Sequence, residues 1–323
     1  MLHPVEGVLV IDKPLGPTSH DVVARARRAL REKRVGHTGT LDPMATGVLP
    51  LVIGRATRLA TFLSSGDKVY EAGVRLGSAT DTYDAAARLA AGGAPPPAPA
   101  INLDEVEAAL ERFRGTFEQM PPPYSAKKVD GVPAYKLARK NEPTMLTAVS
   151  VTVRELTLLG LEDGLVRLEV TSAAGFYVRS LAHDLGVVLG CGAHLESLRR
   201  TRAAGFDLSQ AVPLDELDKD PESAAQRLIP LGKLLTDMPA VHLTDRGSER
   251  ASHGSSLSFQ DIAGMGPDPI SGDQGPDPVS PDRLWIDRLE RGDRVRLFDG
   301  AGTLIGIAEL SAGGLLRPSI VLV

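Results

Sequence analysis

The stretch RVGHTGTLDPMATGVLPLVIG, residues 34–54, contains a single acidic side chain, that of Asp42. Its neighbours are Gly, Thr, Pro, Met and aliphatic residues, and a loop followed by the apolar run 47–54 is predicted. Pro43 favours an extended backbone at Asp42, and the glycines around Thr38 allow a ligand to approach the main chain closely. An acid in such surroundings either caps a turn, a common role for Asp-Pro, or acts as a chemical reagent. The residues alone leave both roles open.

Two elements precede this stretch. The segment GVLVIDKPLGPTS (7–19) predicts a short buried strand ending in a Pro/Gly turn. A helix is predicted next, with Thr18 and Asp21 spaced as a capping box and with Val22, Ala26 and Leu30 on one face. Its other faces are basic. They are either an ordinary solvated surface or a contact for phosphate groups.

Two later segments carry further candidate residues. In KVYEAGVRLGSATDTYDA (68–85), Tyr70 alternates with apolar residues on one face of a predicted strand. Tyr70 is therefore a core residue by default, or a ring that stacks on a base if the strand borders a cleft. The segment 164–190 predicts a strand, a glycine-bearing turn and a helix, with Arg179 near the helix start. Arg179 either pairs with an isolated acid and keeps it ionised or forms a surface ion pair with Asp184.

The rest of the chain is less informative. Helices are predicted over 102–115, capped by Asn102 or Asp104, and over 222–236. A boundary near Met238 separates a mixed α/β part from a small β-rich part. Residues 118–145, rich in Pro, Lys and Tyr, suit a thumb-like insertion, and 261–282 form an acidic Pro/Gly loop that repeats GPDP and is expected to be disordered.

Composition limits the class of protein. The 323 residues are 42% hydrophobic and 24% charged, the balance of a soluble protein of two domains, and no segment is apolar for long enough to cross a membrane. We therefore expect a cytoplasmic protein. Cys191 is the sole cysteine, and the seven histidines lack the spacing of metal ligands. Since no Walker or dinucleotide motif is present, neither a metal nor a cofactor is expected.

The net charge of −5 does not exclude a nucleic-acid partner, because the charges are segregated along the chain. Residues 24–34 contain six basic side chains and one acidic one, whereas residues 251–282 contain five aspartates and no Lys or Arg. Lys127, Lys128 and Lys136 add positive charge to the thumb-like insertion. Local basic surfaces, rather than the total, decide whether RNA binds.

Six segments resemble, in the same order, those of the TruB family of tRNA pseudouridine synthases. They are GVLVIDKPLGPTSHDVV, RVGHTGTLDPMATGVLPLVIGRATRL, KVYEAGVRLGSATDTYDA, YSAKKVDGVPAYKLAR, GFYVRSLAHDLGVVLGCGAHLESLRRTR and the C-terminal β part. The resemblance spans nearly the whole chain, and GHTGTLDPMATGVLP is its most specific run.

The resemblance implies an α+β fold. It has a pseudouridine-synthase catalytic domain over 1–237, built on a mixed, mainly antiparallel sheet, and a PUA-like RNA-binding domain over 238–323. The implied reaction is isomerisation of the T-loop uridine at tRNA position 55 to pseudouridine, without cofactor or metal. The implied partner is tRNA, contacted at the T stem-loop and the acceptor stem, and we expect a monomer that does not bind membranes.

The resemblance also assigns roles to single residues. Asp42 matches the catalytic aspartate, Arg179 the arginine that pairs with it, and Tyr70 the tyrosine that stacks on the target base and is implicated in proton transfer. His37 matches a histidine that holds the flipped T loop, and Tyr177 and Leu198 match residues that line the uracil pocket.

Lys13 and Pro14 match a pair that supports the pocket. One departure is Ala86, which stands where the family often has glycine after TDTxDA. Two alternatives remain open beside a stand-alone tRNA synthase. One is a guide-RNA-dependent synthase that requires partner proteins, as in the dyskerin group, and the other is a non-catalytic RNA-binding or RNA-folding protein.

Overall fold

The computed structural model describes residues 5–86, 92–124, 128–129, 132–133, 146–265 and 289–323. Its strands, in chain order, are β1 Gly7–Lys13, β2 Val35–His37, β3 Ala45–Ile53, β4 Lys68–Leu76, β5 Gly115–Gln119, β6 Lys128–Val129, β7 Val132–Pro133, β8 Val149–Glu162, β9 Leu165–Ser172, β10 Ala193–Ala203, β11 Phe206–Asp207, β12 Val212–Pro213, β13 Ala240–Leu243, β14 Ile262–Met265, β15 Arg294–Phe298, β16 Leu304–Leu310 and β17 Leu316–Val321.

Helices and short 3₁₀ turns connect these strands. The α-helices are Ser19–Ala29, Ala60–Ser65, Leu103–Leu110, Val178–Val188, Leu214–Lys219, Pro221–Gln226 and Asp245–Ser252. The first of them begins with the predicted capping box between Thr18 and Asp21, and Asn102 caps Leu103–Leu110 through its side chain. Both predicted caps are confirmed.

Ten strands form one large sheet in the order β12-β1-β3-β10-β4-β9-β8-β5, to which β2 and β11 add at β3 and β10. The β1–β12 and β3–β10 pairs are parallel, and the other pairs are antiparallel. The predicted α+β class with a mixed, mainly antiparallel sheet is confirmed. The β3–β10–β4 contact is the important one here, because it brings together residues from three distant parts of the sequence.

The central strands β1 and β3 are apolar over Val8–Ile11 and Val48–Ile53, because both faces of these segments are buried. Leu9 and Ile11 pack against the helical layer, whereas the alternating Val8 and Val10 pack into a second core on the opposite face. A side-chain period of two sends successive residues to opposite faces. Buried strands of this kind lack the alternation of polar and apolar residues seen at a sheet surface.

The C-terminal part forms a five-stranded sheet in the order β14-β13-β15-β16-β17. It has its own core, but Phe298, Leu304 and Leu322 also belong to the second core of the large sheet. Arg55 donates a hydrogen bond to the Leu322 carbonyl at 2.6 Å, and Arg58 donates one to the carbonyl of Val321. These contacts fasten the end of the chain to the large sheet.

The helix predicted over 222–236 is wrong. An α-helix covers only Pro221–Gln226, and a 3₁₀ turn follows at Leu231–Lys233. Pro230 lacks the amide hydrogen that a continuing helix requires, and the backbone of Ile229 exchanges two hydrogen bonds of 2.9 Å with Val8 of β1. Pairing with the large sheet thus replaces the predicted helix.

Two predicted insertions lie largely outside the described residues. Of the thumb-like segment 118–145, the structure describes 118–124 and the paired two-residue strands β6 and β7. Of the acidic loop 261–282, it describes residues up to 265. The lysines predicted to contact RNA at 127 and 136 lie outside the described part, and so does the GPDP repeat.

Candidate active site

The loop 38–44, here called the Asp42 loop, connects β2 to β3 and is fixed from two sides. The Ser19 hydroxyl, at the start of the first helix, donates to the Leu41 carbonyl at 3.0 Å and accepts from the Leu41 amide at 2.8 Å. The Gly16 amide donates to the Pro43 carbonyl at 2.9 Å. Leu41 is buried, so the loop is anchored while its carboxylate remains about one-third exposed.

Arg179 pairs with this carboxylate. Its Nε lies 2.9 Å from Asp42 Oδ2, and a second guanidinium nitrogen lies 3.3 Å from Oδ1. Arg179 is the second residue of the helix Val178–Val188 and its side chain is buried. The residue predicted to pair with either Asp42 or Asp184 therefore contacts Asp42. A two-point contact between guanidinium and carboxylate fixes orientation as well as charge.

Three further groups hold the Arg179 guanidinium. It donates to the Thr82 carbonyl at 3.0 Å and to the Tyr124 carbonyl at 2.8 Å, and it lies 3.8 Å from a carboxylate oxygen of Asp84. Asp84 is buried, and it accepts hydrogen bonds from the Thr82 hydroxyl and the Ala86 amide. The arginine thus bridges two acids.

Asp84 is a candidate site residue that the sequence reading missed. It lies in the TDTYDA segment, in which no residue was predicted to belong to the site. The segment contains two acids, Asp81 and Asp84, and the sequence alone does not show which of them is buried. The turn is unusual at Tyr83, whose φ of 63° is rare for a residue with a side chain. The Tyr83 ring stacks on His183 at a centroid distance of 3.8 Å, which packs the turn against the Arg179 helix.

Opposing influences act on the ionisation of Asp42. Burial raises the pKa of its carboxyl, and the nearby Asp84 carboxylate raises it as well, whereas Arg179 and Lys13 lower it. Desolvation penalises the charged form, and an adjacent cation favours it. The ion pair with Arg179 is therefore the main feature that keeps this partly buried acid available as a carboxylate.

Lys13 lies beneath the Asp42 loop. It is fully buried, and its Nζ donates to the Ala45 carbonyl at 2.6 Å and to the Pro14 carbonyl at 2.9 Å. Burial lowers the pKa of Lys13 to about 8, an effect that Asp42 opposes. The Lys13–Pro14 pair therefore ties the end of β1 to the start of β3, directly after the loop.

Tyr70 and Leu198 are both buried and belong to the core cluster that includes Leu41 and Met44 of the Asp42 loop. Leu198 in β10 lies opposite Ala45 of β3 and Ala72 of β4. Tyr70 points to the same face of β4 as Ala72, as the alternating pattern predicted. Tyr70 is 8% exposed, so its predicted place in the core is confirmed, and its place at the edge of a cleft stays a prediction.

His37 and Tyr177 lie at the ends of elements. The His37 Nδ1 accepts a hydrogen bond from the Gly39 amide at 3.3 Å, and its ring meets that of His20 edge-on. Burial lowers the pKa of His37, which favours the neutral ring. Because Nδ1 accepts the bond from Gly39, the proton of the neutral ring is on Nε2. Tyr177 caps the Arg179 helix, and its backbone exchanges two hydrogen bonds with the buried side chain of Gln119.

The residues that the structure describes contain no group of three or more His, Cys, Asp or Glu side chains that could hold a metal ion. They also contain no helix that is long and apolar enough to span a membrane.

Comparison with known proteins places the chain in a family. The family model for the N-terminal domain of TruB family pseudouridylate synthases matches residues 27–178, and that for the C-terminal domain of tRNA pseudouridylate synthase B matches 179–238. The chain belongs to the TruB family. The resemblance inferred from the motifs and the expected class of enzyme, a pseudouridine synthase, are thereby confirmed.

Individual relatives agree with this assignment. The tRNA pseudouridine synthase B of Solibacter usitatus (strain Ellin6076) is 49% identical over 75% of this chain and 82% of its own length. That of Pseudomonas aeruginosa (strain UCBPP-PA14) is 39% identical over 97% of this chain and 95% of its own length. The family assignment therefore rests on nearly the whole sequence.

Solved structures share the fold. A chain in a structure of an H/ACA RNP bound to a substrate RNA containing 2′-deoxyuridine matches with a TM-score of 0.70 at 24% identity, covering 100% of this chain and 86% of that one. A chain of a Cbf5–Nop10–Gar1 complex matches with a TM-score of 0.70 at 25% identity, covering 99% and 88%.

Proposed function

We propose that this protein converts the T-loop uridine at position 55 of tRNA to pseudouridine, with Asp42 as the reacting carboxylate. The observation that carries the proposal is the Asp42–Arg179 pair, a partly exposed acid held by a buried arginine. RNA binding alone does not require an acid at the centre of the site. The names of the curated relatives support tRNA as the substrate.

The reaction is an isomerisation, and its chemistry suits these residue types. The N1–C1′ bond of the uridine breaks, the uracil turns, C5 joins C1′, and the proton on C5 is replaced by one on N1. A carboxylate can attack C1′ as a nucleophile, or it can remove a proton from C2′ to give a glycal intermediate. Both routes need Asp42 ionised, which is the state that Arg179 favours.

The remaining site residues act on the base. The uridine must leave the stack of the T loop, at a cost of a few kcal/mol. Stacking on Tyr70 offsets part of this cost, since aromatic stacking contributes about 1–3 kcal/mol per base. His37 presents its Nε2–H toward the flipped loop, Leu198 and Tyr177 line the uracil site, and Lys13 with Pro14 supports the floor.

We assign the two expected contact regions of the tRNA to the parts of the chain that contain the two sheets. We assign residues 1–237 to the catalytic domain that receives the T stem-loop, and residues 238–323 to a PUA-like domain that receives the acceptor stem. The match to the second family model ends at residue 238, and the second sheet begins at Ala240. In the described part of the chain, Arg28, Arg31 and Lys33 are exposed and lie beside the Asp42 loop in sequence, which suits contact with phosphates.

A stem-loop assay tests the proposal. Purified protein is incubated with an unmodified T-arm stem-loop, and pseudouridine is detected by carbodiimide labelling because its mass equals that of uridine. Wild type should modify the T-loop uridine, and Asp42→Asn should bind the RNA without modifying it. The matched control is Asp163→Asn, an exposed aspartate with a φ of 48° that asparagine also adopts.

The outcomes separate the three candidate activities. Product from wild type alone supports the stand-alone synthase. Product from Asp42→Asn would show that the mechanism is wrong, and absence of product from wild type would favour the guide-dependent or binding-only alternatives.

A further inference from the structure

Arg200 is a buried cation that the proposed reaction does not use. It lies in β10, directly across from Tyr70 in β4 and from Gly47 in β3. Its side chain is among the largest fully buried ones in the described residues. Space at this point is tight, because a Cβ on Gly47 would lie 2.2 Å from the Arg200 carbonyl oxygen.

The guanidinium of Arg200 joins separate parts of the site. Its Nε donates to the Val48 carbonyl at 2.8 Å, and a terminal nitrogen donates to the Gly39 carbonyl in the Asp42 loop at 3.0 Å. Burial lowers the pKa of Arg200, and the side chain of Tyr70, directly across from it in β4, opposes this effect. In the described part of the chain, no carboxylate lies within salt-bridge distance of it.

The surroundings of Arg200 are positively charged, which makes its burial costly. Its charge contributes to lowering the pKa values of Lys13, His37 and Lys68. A buried charge without an opposite partner is strongly disfavoured unless hydrogen bonds compensate. The hydrogen bonds that the structure describes for Arg200 go to the carbonyls of Val48 in β3 and Gly39 in the Asp42 loop, and both segments belong to the site.

We propose that Arg200 is a positioning residue that acts through Tyr70. A guanidinium can only donate hydrogen bonds, so the Tyr70 hydroxyl oxygen is the acceptor, and the hydroxyl proton is directed away from Arg200. The same guanidinium holds Gly39, three residues before Asp42. One side chain therefore sets the phenol and the Asp42 loop in a fixed relative geometry. The inference rests on the proposed function, because it concerns the same reaction.

A double-mutant cycle distinguishes this role from a purely structural one. Arg200→Lys keeps the charge but loses the planar fork, and Tyr70→Phe keeps the ring but loses the hydroxyl. Each single variant should lower the single-turnover rate constant at saturating T-arm RNA by about 10- to 100-fold, the range expected from small misplacements of reacting groups. The dissociation constant for the RNA should change less than the rate constant.

The decisive measurement is the rate of the double variant. If Arg200 acts through the hydroxyl, Arg200→Lys should cause a much smaller loss in the Tyr70→Phe background than in wild type, and the remaining loss reflects its bond to Gly39. Multiplication of the two single losses would overturn the proposal. The matched control is Arg296→Lys, a second buried arginine bonded to backbone carbonyls, at Met238 and Gly232. That substitution should not couple to Tyr70→Phe.

Tyr70→Phe alone provides a second test should Arg200→Lys fail to fold. Loss of the hydroxyl leaves a guanidinium N–H of Arg200 without its acceptor, so the melting temperature should fall by several degrees, whereas an unchanged melting temperature would overturn the inferred hydrogen bond. The assay also separates the two proposals. An inactive wild type, or an active Asp42→Asn, contradicts the proposed function, and multiplicative losses in an active, Asp42-dependent enzyme contradict only the role of Arg200.

Discussion

Asp42 and Arg179 stand 137 residues apart in the sequence, yet Arg179 Nε lies 2.9 Å from Asp42 Oδ2. The two are brought together because β3 and β4 both pair with β10, against which the Arg179 helix packs. Arg179 is held by backbone carbonyls as well as by the acid. The cation is therefore in place before substrate arrives, which is the arrangement that electrostatic preorganisation requires.

Replacing Arg179 should change the pH dependence of the reaction. Arg179 lowers the pKa of Asp42 against the opposing effect of burial, so Arg179→Gln should raise that pKa further. The acidic limb of kcat/KM against pH should then move to higher pH. At neutral pH the rate should fall by about 100-fold or more, as on loss of other charge-stabilising groups.

The control for this experiment is Arg167→Gln, which alters an exposed arginine of β9 that is paired with Glu162 of β8. Its profile should match that of wild type. An Arg179→Gln enzyme that loses the same factor at every pH would show that the arginine does not act through the ionisation of Asp42.

Asp84 should respond in the opposite direction. Its carboxylate raises the pKa of Asp42, so Asp84→Asn, which removes the charge and keeps an acceptor for Thr82 and Ala86, should move the acidic limb to lower pH. Asp84→Ala removes the acceptor too, and should lower stability by about 1 kcal/mol per lost hydrogen bond. Rate profiles and urea unfolding of both variants provide the check. If the two substitutions shift the pH profile and lower the stability equally, the charge of Asp84 and its hydrogen bonds within the turn do not have separate effects.

Patterns of residue type and spacing predicted many of the helices and strands, because caps, turns and strand faces depend on interactions between residues close in the sequence. The capping box at Thr18, the strand face through Tyr70 and the start of the Arg179 helix were all predicted from residue type and spacing, and each depends on neighbours within one or two turns. The TruB motifs supplied the sheet type and the candidate residues, since single segments do not determine how distant strands pair.

The features that were not predicted from the sequence depend on contacts between residues far apart in the chain. Arg179, the cation beside Asp84, and Gly39, which Arg200 contacts, lie on other elements, so nothing in the segments of Asp84 and Arg200 marks them as buried charges. The failed helix over 222–236 has the same origin. Pro230 interrupts it, and the pairing of Ile229 with Val8, more than two hundred residues earlier, supplies the competing hydrogen bonds. Periodicity assigns a residue to a face, but it does not identify what that face meets.

Lys13 should make stability depend on pH above neutrality. Its pKa is about 8 in the folded protein against an ordinary value of 10.5. Between these two values the unfolded chain binds the extra proton, so the free energy of unfolding should rise with pH across this window. The gain should reach about 3 kcal/mol by the upper end. Urea unfolding from pH 7.5 to 10.5 should show this rise in wild type but not in Lys13→Met.

Lys219→Met is the control for that series, because Lys219 is exposed and pairs with Asp215 one turn earlier. The Lys219→Met variant should retain the rise in the free energy of unfolding with pH. If Lys13→Met shows the same increase as wild type, Lys13 is not the group that releases the proton on folding.

The acidic GPDP segment should not contact tRNA. It lies outside the described residues, but its aspartates would be repelled by phosphates, so we expect it to project away from the bound RNA. Deleting residues 266–280 should leave the dissociation constant for tRNA within about two-fold of wild type at physiological salt, where exposed charges are screened beyond about 8 Å. A large loss of affinity would show that the segment lies at the interface.

Salt should weaken tRNA binding in proportion to the number of phosphate contacts. Removal of each contacting cation should reduce the slope of log Kd against log salt concentration by about 0.7–0.9. We expect this for Arg28→Ala, Arg31→Ala and Lys33→Ala, whose side chains are exposed in the segment that precedes β2 and the Asp42 loop. Arg25→Ala serves as the matched control, because Arg25 lies on the same helix as Arg28 but is paired with Asp218. An unchanged slope in the first three variants would place the phosphate contacts elsewhere on the protein.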